Sequence, residues 1–258
     1  MKKEISKIFP SDILEGMSSI SALIKAIEQH KSTRKIIKIL IDEEKKGSKY
    51  REIGFLKAKA SLLDFSIEWT DAETISGMTV GTSHGGIIAC CTERMIPELT
   101  RENIKRNGIY FLLEGVEDPY NFGYAVRSLY ASGADGLILS HRNWMGTAGV
   151  VARSSAGASE LIDMYVAEPT DAARMFSECG YKIVCAGIRD SVSLFDADLS
   201  KPLFVILGGE KRGISRALLD MSDQIVRIDY GTEFNGSLST AAATAVFAFE
   251  ILRYNRGT

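Results

Sequence analysis

Residues 202–221 read PLFVILGGEKRGISRALLDM. The apolar run from Pro202 to Leu207 has the length of a strand, glycines follow it, and Ser215 to Met221 reads as a helix. Gly208, Gly209 and Gly213 let backbone approach a ligand closely and leave a helix N-terminus open behind them. The spacing is neither the GxxxxGK[ST] of a phosphate loop nor the GxGxxG of a dinucleotide fold. Glu210 in the turn would repel phosphate. That disfavours a nucleoside triphosphate and suits a ligand such as S-adenosyl-methionine, which carries an adenosine without phosphate. A glycine turn bearing a surface glutamate is the plainer alternative.

The same strand-then-helix rhythm extends in both directions. Tyr110 to Glu114, Gly136 to Leu139, Asp163 to Val166, Lys182 to Ala186 and Gln224 to Ile228 read as strands. Between and after them, Phe122 to Ser132, Ala148 to Ala158, Thr170 to Cys179 and Ser237 to Tyr254 read as helices. Alternation of this kind predicts a parallel sheet covered on both faces, with ligands beyond the carboxyl ends of its strands. The loops after Leu113, Ala186, Leu207 and Ile228 are therefore the places to look.

Upstream stands a smaller α/β unit. Residues 16–31 place Ile20, Leu23, Ile24 and Ile27 on one helical face; Lys35 to Ile41 alternates as a strand; 50–63 reads as a helix, Phe65 to Trp69 as a strand and 71–77 as a short helix. His84, Gly85 and Gly86 make a turn before the apolar strand Ile87 to Cys91. Two domains are expected, 1–98 and 109–258, joined by a polar linker over 99–108.

Composition is that of a soluble globular protein: 45% hydrophobic, 25% charged, formal net charge -2 over 258 residues. Residues through Arg106 carry a net +3 and the remainder -5. Lys25, Lys31, Arg34, Lys35, Lys38, Lys45, Lys46, Lys49 and Arg51 crowd the first part, which suits a polyanionic partner, although Asp42, Glu43 and Glu44 interleave as on an ordinary solvated face. No apolar run reaches the roughly 18 residues of a membrane span, and the N-terminal stretch is too polar for a signal-peptide core. Cys90, Cys91, Cys179 and Cys185 form no CxxC pair, so no metal is expected and reduced, buried thiols in a cytoplasmic protein are.

Two further loops carry chemistry. In EGVEDPYNFGYAVRS, 114–128, Asn121 can cap the following helix and Arg127 lies six residues on, either toward a phosphate or toward solvent. In IDYGTEFNGSLSTAAATAV, 228–246, Ser237 is a reasonable N-cap, and Ala241, Ala242, Ala243 and Ala245 let another backbone or a cofactor lie close.

Together and in this order, these stretches resemble the SpoU/TrmH family of the SPOUT superfamily, RNA ribose 2′-O-methyltransferases that use S-adenosyl-methionine. The family's N-x-G-x-x-x-R motif is matched by Asn121, Gly123 and Arg127; its L-G-x-E-x-x-G by Leu207, Gly208, Glu210 and Gly213; its third motif by Ile228 and Gly231, then Ser237, Leu238 and Ser239. The match covers about 109–254. A looser likeness over about 12–96 is to the ribosomal-protein-like α/β domain that precedes the catalytic domain in many relatives. Where relatives usually carry Asn, Pro and Met, this chain has Ser239, Asp229 and Tyr230; before Ile87, where a basic residue is common, it has Ser83 and His84.

The resemblance implies a small N-terminal α/β domain for RNA recognition, then an α/β domain closed by a trefoil knot. It implies a homodimer with the active site near the subunit interface. S-adenosyl-methionine would be held by Ala186, Gly187, Leu207, Gly208, Gly209, Gly213, Ile228, Ser237 and Leu238. The catalytic set would be Asn121, Arg127, Glu210, Ser237 and Ser239, with Arg127 holding phosphate and countering charge on the ribose oxygen. Ribosomal RNA is the expected substrate; a tRNA substrate, or an inactive RNA-binding member of the same fold, are the alternatives.

Overall fold

The computed structural model describes residues 13–81, 84–140 and 147–256. Ser83, which precedes the expected turn at His84, lies outside them. The chain divides into two compact units: Met1–Met95 with Asn143–Leu161, and Ile96–Arg142 with Ile162–Thr258.

In the first unit, strands β1 (Ile13–Glu15), β2 (Ile36–Asp42), β3 (Ser66–Thr70) and β4 (Ile87–Cys91) form one sheet in the order β1-β4-β2-β3. β4 runs antiparallel to β1 and β2, and β3 is parallel to β2. Period-two alternation sends Ile39, Ile41, Ile87 and Ala89 into one core with Ile20, Leu23 and Ile24 of α1 (Gly16–Glu28) and Ile53 and Leu56 of α2 (Tyr50–Leu63). Leu40, Ile88 and Cys90 point the other way, onto Ile75 of α3 (Ala72–Met78).

Helices α5 (Ala148–Ser154) and α6 (Ala158–Leu161) also belong to this unit, although the alternation places them among the elements of the second. Ala152 lies in the α1/α2 core. The expected single helix 148–158 is broken at Ala156 and Gly157, both with positive φ. Gly157 packs directly on α1: a Cβ there would lie 2.4 Å from the Ala22 Cβ and 2.8 Å from the Ser18 carbonyl oxygen. Three ion pairs, each with a buried carboxylate, fasten the segment. Arg153 Nη1 meets Glu15 Oε2 at 2.9 Å, and Glu160 Oε1 lies 3.3 Å from Arg34 Nη1 and 3.7 Å from Arg94 Nη1. Arg34 is 2% exposed and also donates to the Thr92 carbonyl, so it is a structural residue and leaves the basic face read from the sequence. Burial holds the Arg94 guanidinium below its ordinary pKa, with Glu160 opposing the shift.

The second unit is built on strands β5 (Ile109–Glu114), β6 (Gly136–Leu139), β7 (Met164–Val166), β8 (Lys182–Ala186), β9 (Val192–Ser193), β10 (Leu203–Gly208) and β11 (Gln224–Arg227). Their order is β7-β6-β5-β10-β8-β11-β9, and every pairing is parallel. On one face Tyr110, Phe176, Tyr181 and Phe204 pack ring against ring beneath α7 (Pro169–Glu178), joined by Leu218 of α8 (Arg216–Asp220). The other is crossed by α4 (Pro119–Ser132) and α9 (Thr240–Tyr254), which pack on each other through buried residues such as Val126, Leu129, Phe247 and Ile251. From β5 the chain moves outward through β6 to β7, then returns to the other side of β5. That reversal is a switch point, and β5 and β10 flank it with Gly208 in register with Glu114.

Candidate active site

Two loops leave the sheet side by side at the switch point. Gly115 turns with φ +71, and Gly209 donates its N–H to the Glu114 carbonyl at 2.6 Å. A Cβ on Gly209 would sit 2.3 Å from the Gly115 oxygen, so the loops meet backbone to backbone only because Gly209 has no side chain. Gly213 closes the turn by donating to the Gly209 carbonyl at 3.0 Å. The Glu114 carboxylate accepts from Ser215 N at 2.8 Å, one residue ahead of α8.

Asp118, not Asn121, caps α4: its carboxylate accepts from the N–H groups of Tyr120 and Asn121, and Pro119 takes the first helical position. This frees the Asn121 amide, whose Nδ2 donates to Glu210 Oε1 at 3.1 Å. The same oxygen faces the N–H of Thr240 at 3.4 Å, and the Thr240 hydroxyl donates to the Gly208 carbonyl at 3.3 Å. Glu210 thus gathers the first turns of α4 and α9 around the end of β10. Gly115, Glu117, Asp118, Asn121, Glu210 and Thr240 line a cleft there, with Lys211 paired to Glu117 at its rim.

Ser237 is not the N-cap of α9. Ser239 has that place, with extended backbone and its hydroxyl accepting from Ala242 N at 3.3 Å. Its hydroxyl therefore serves the helix, and among the described residues no bond joins it or Ser237 to Glu210. Arg127 lies about 9 Å further along α4 than Asn121 and about 120° around its axis. It is exposed, on the same outward stripe as Tyr120 and Tyr124, and among the described residues no hydrogen bond or ion pair engages it.

The residues expected around the cofactor divide into two sets. Gly209 and Gly213 are used by the turn itself, and the Leu207 side chain is buried in the core, leaving only its backbone for a ligand. Ala186, Gly187, Gly208, Ile228 and Leu238 are partly exposed at or beyond the carboxyl ends of β8, β10 and β11. This edge offers backbone amides and carbonyls with no phosphate loop, which fits an adenosine-bearing ligand lacking phosphate. Beside it Asp229 pairs with Arg227 Nε at 2.7 Å; the Ser193 hydroxyl and then Arg227 hold its carboxyl below the usual range. Leu238 N donates to the Tyr230 hydroxyl at 3.2 Å. Among the described residues no group of three or more His, Cys, Asp or Glu side chains is placed to hold a metal ion, and no helix is long and apolar enough to cross a membrane.

Thr240 and Asp118 belong to none of the sequence motifs. Asp118-Pro119 carries a readable cap signal, an acceptor followed by proline at the first helical position. Thr240 carries none, because its role depends on Gly208 and Glu210 reaching it from another strand.

A parallel sheet with a backbone-lined crevice at its switch point, and a wired Asn–Glu pair beside it, is the frame of a transferase that acts with a bound donor. The profile of the SpoU rRNA Methylase family matches residues 108–249, and the chain belongs to that family. It is 28% identical over 254 residues to the 23S rRNA (guanosine-2′-O-)-methyltransferase RlmB of Shewanella oneidensis, covering 95% of this chain and 98% of that protein. It is 26% identical to the putative TrmH family tRNA/rRNA methyltransferase YacO of Bacillus subtilis, covering 88% of this chain and 92% of that one. The fold is shared with the AdoMet-bound rRNA methyltransferase from Sinorhizobium meliloti, at TM-score 0.75 and 22% identity over 94% of this chain and 87% of that one. It is shared equally with AviRb from Streptomyces viridochromogenes, at TM-score 0.76 and 20% identity over 95% and 91%.

Proposed function

We propose that this chain transfers a methyl group from S-adenosyl-methionine to a ribose 2′-hydroxyl of ribosomal RNA. The observation that carries this reading is the Asn121–Glu210 bond at the switch point, one helix face away from an uncommitted Arg127. The likeness to RlmB over nearly the whole length of both chains supports the ribosomal substrate.

The cofactor, when bound, supplies an activated methyl group on a sulfonium, so the protein's task is alignment and charge management. The Arg127 guanidinium presents a rigid, planar fork of donors. It holds the phosphate beside the target ribose and stabilises negative charge developing on the 2′-oxygen. Asn121, held by Glu210, positions the nucleotide, and Ser237 and Ser239 stand at the entrance to α9. Ala186, Gly187, Leu207, Gly208, Ile228 and Leu238 hold the cofactor through backbone groups. The order β5-β10-β8-β11, in which later strands insert between earlier ones, is consistent with the trefoil crossing that the family fold implies.

In this reading two copies of the chain pair across the outward faces of α4 and α9. Tyr120 and Tyr124 are large, exposed and close to Arg127 in the register of α4, and Phe249 is exposed on α9, which supports an interface that brings Arg127 to the neighbouring copy's cleft. The first unit recognises RNA through its exposed Lys25, Lys35, Lys46 and Arg51. The chain acts on its RNA in the cytoplasm.

The test is methyl-tritiated S-adenosyl-methionine with unmodified RNA, separated into ribosomal and transfer pools, beside Arg127→Ala. Alkali-resistant label in ribosomal RNA that is lost in the variant is the expected result. Label confined to tRNA would move the substrate, and cofactor binding without label in either pool would point to an assembled particle.

A further inference from the structure

We propose that Tyr230 and Phe234 form an aromatic platform on which the adenine ring of the methyl donor packs; this rests on the cofactor placement proposed above. Both side chains lie in the loop between β11 and α9, flanked by Ile228 on one side and Ser237 and Leu238 on the other. Their ring centroids are 5.7 Å apart at an interplanar angle of 59°. Tyr230 is 40% and Phe234 55% exposed. Large rings left half in water beside a ligand edge gain when a flat ligand covers them.

The pair is held in place. The Tyr230 hydroxyl accepts from Leu238 N at 3.2 Å, which ties the ring to the far end of its own loop. Phe234 lies over Gly236, where a Cβ would come 2.5 Å from its Cζ, so any larger residue would push the ring away. The loop's base is fixed by Arg227, which pairs with Asp229 and donates to the Ser191 carbonyl at 2.6 Å. A ring fixed by its hydroxyl at one end and its backbone at the other is preorganised for a planar partner.

Of the parts of S-adenosyl-methionine, only the purine has a π face, so the purine is the part these rings take. Aromatic residues also stack on unpaired RNA bases, and the flanking backbone decides between the two. Tyr230 is bonded to Leu238, itself one of the partly exposed residues at the ligand edge of the sheet.

The test is calorimetric titration of the parent, Tyr230→Ala, Phe234→Ala and Tyr230→Phe with S-adenosyl-homocysteine and with 5′-methylthioadenosine, which shares only the adenosine end. Each alanine is expected to raise Kd about tenfold, equally for both ligands, with Tyr230→Phe within about threefold of the parent. Unliganded melting temperatures close to the parent's show that the folds are intact. Parent-like Kd in both alanine variants overturns the platform alone, as does a loss seen only with S-adenosyl-homocysteine. Unchanged ligand Kd with weaker RNA binding reassigns the rings to a base. A parent that binds neither ligand overturns the cofactor placement itself.

Discussion

The Asn121 amide donates to the Glu210 carboxylate at 3.1 Å across 89 positions of sequence, joining the loop after β5 to the loop after β10. The bond exists because Asp118 takes over the capping of α4 and leaves Asn121 free.

Replacing Glu210 with Ala removes the acceptor for both Asn121 and Thr240. Methyl transfer under saturating substrate should fall by about 10²-fold, and stability by about 1–2 kcal/mol. Single-turnover kinetics and thermal melting check the two effects separately. Turnover near the parent's would show that the pair only braces the loops.

Arg127 should behave in the opposite way. With no bond to lose in the protomer, Arg127→Ala should leave the melting temperature of a dilute, monomeric sample unchanged while reducing turnover by about 10²–10³-fold. Arg127→Lys should recover little, since an ammonium cannot reproduce the planar fork. Rate constants for the three proteins at matched RNA concentration settle the point; full rescue by Lys would mean that charge alone suffices.

Glu160→Ala leaves the guanidiniums of Arg34 and Arg94 facing each other without their carboxylate. Breaking a buried pair from one side costs about 3–5 kcal/mol. Urea denaturation should show the first unit melting early in this variant. A midpoint equal to the parent's would mean that the pair is solvated in solution.

Alkaline pH should weaken the second unit. Burial pushes the Cys185 thiol up to about 12 from 9.0 and the Tyr181 phenol up to about 12 from 10.0. Both groups keep their protons longer in the folded state than in the unfolded chain. Their contribution is therefore complete below pH 9 and is lost as pH rises toward about 12. Melting temperature from pH 8 to 11 should fall, less steeply in Cys185→Val, and Cys185 should resist iodoacetamide at pH 8 until the protein unfolds.

The strands most legible in the sequence were those with apolar runs bounded by polar or turn residues: β4, β6 and β8 fall where the pattern places them. β1 and β9, of three and two residues, are too short to carry a period. The helix expected over 148–158 failed at Ala156, a non-glycine residue with positive φ that no propensity rule predicts. Within the site, Asn121 and Glu210 were legible as motif residues, but their partnership was not, because it depends on which strand inserts beside β5. Ser239 read as a departure from the family; in three dimensions it is a helix cap. Membership of α5 and α6 in the first unit was invisible, since Arg34 and Glu160 meet over 126 positions.

That α5 and α6 complete the first unit has a consequence for how the protein is made. Translation delivers the chain from its N-terminus, and compact regions usually close as they emerge. Here the N-terminal unit lacks Arg153, Gly157 and Glu160 until the ribosome has already released β5 and β6 of its neighbour. For some seconds of synthesis, at about 5–20 residues per second, Arg34 waits without its carboxylate and α1 without its cover. Nascent chains of this protein thus present two unfinished cores at once, a window in which a chaperone has the most to protect.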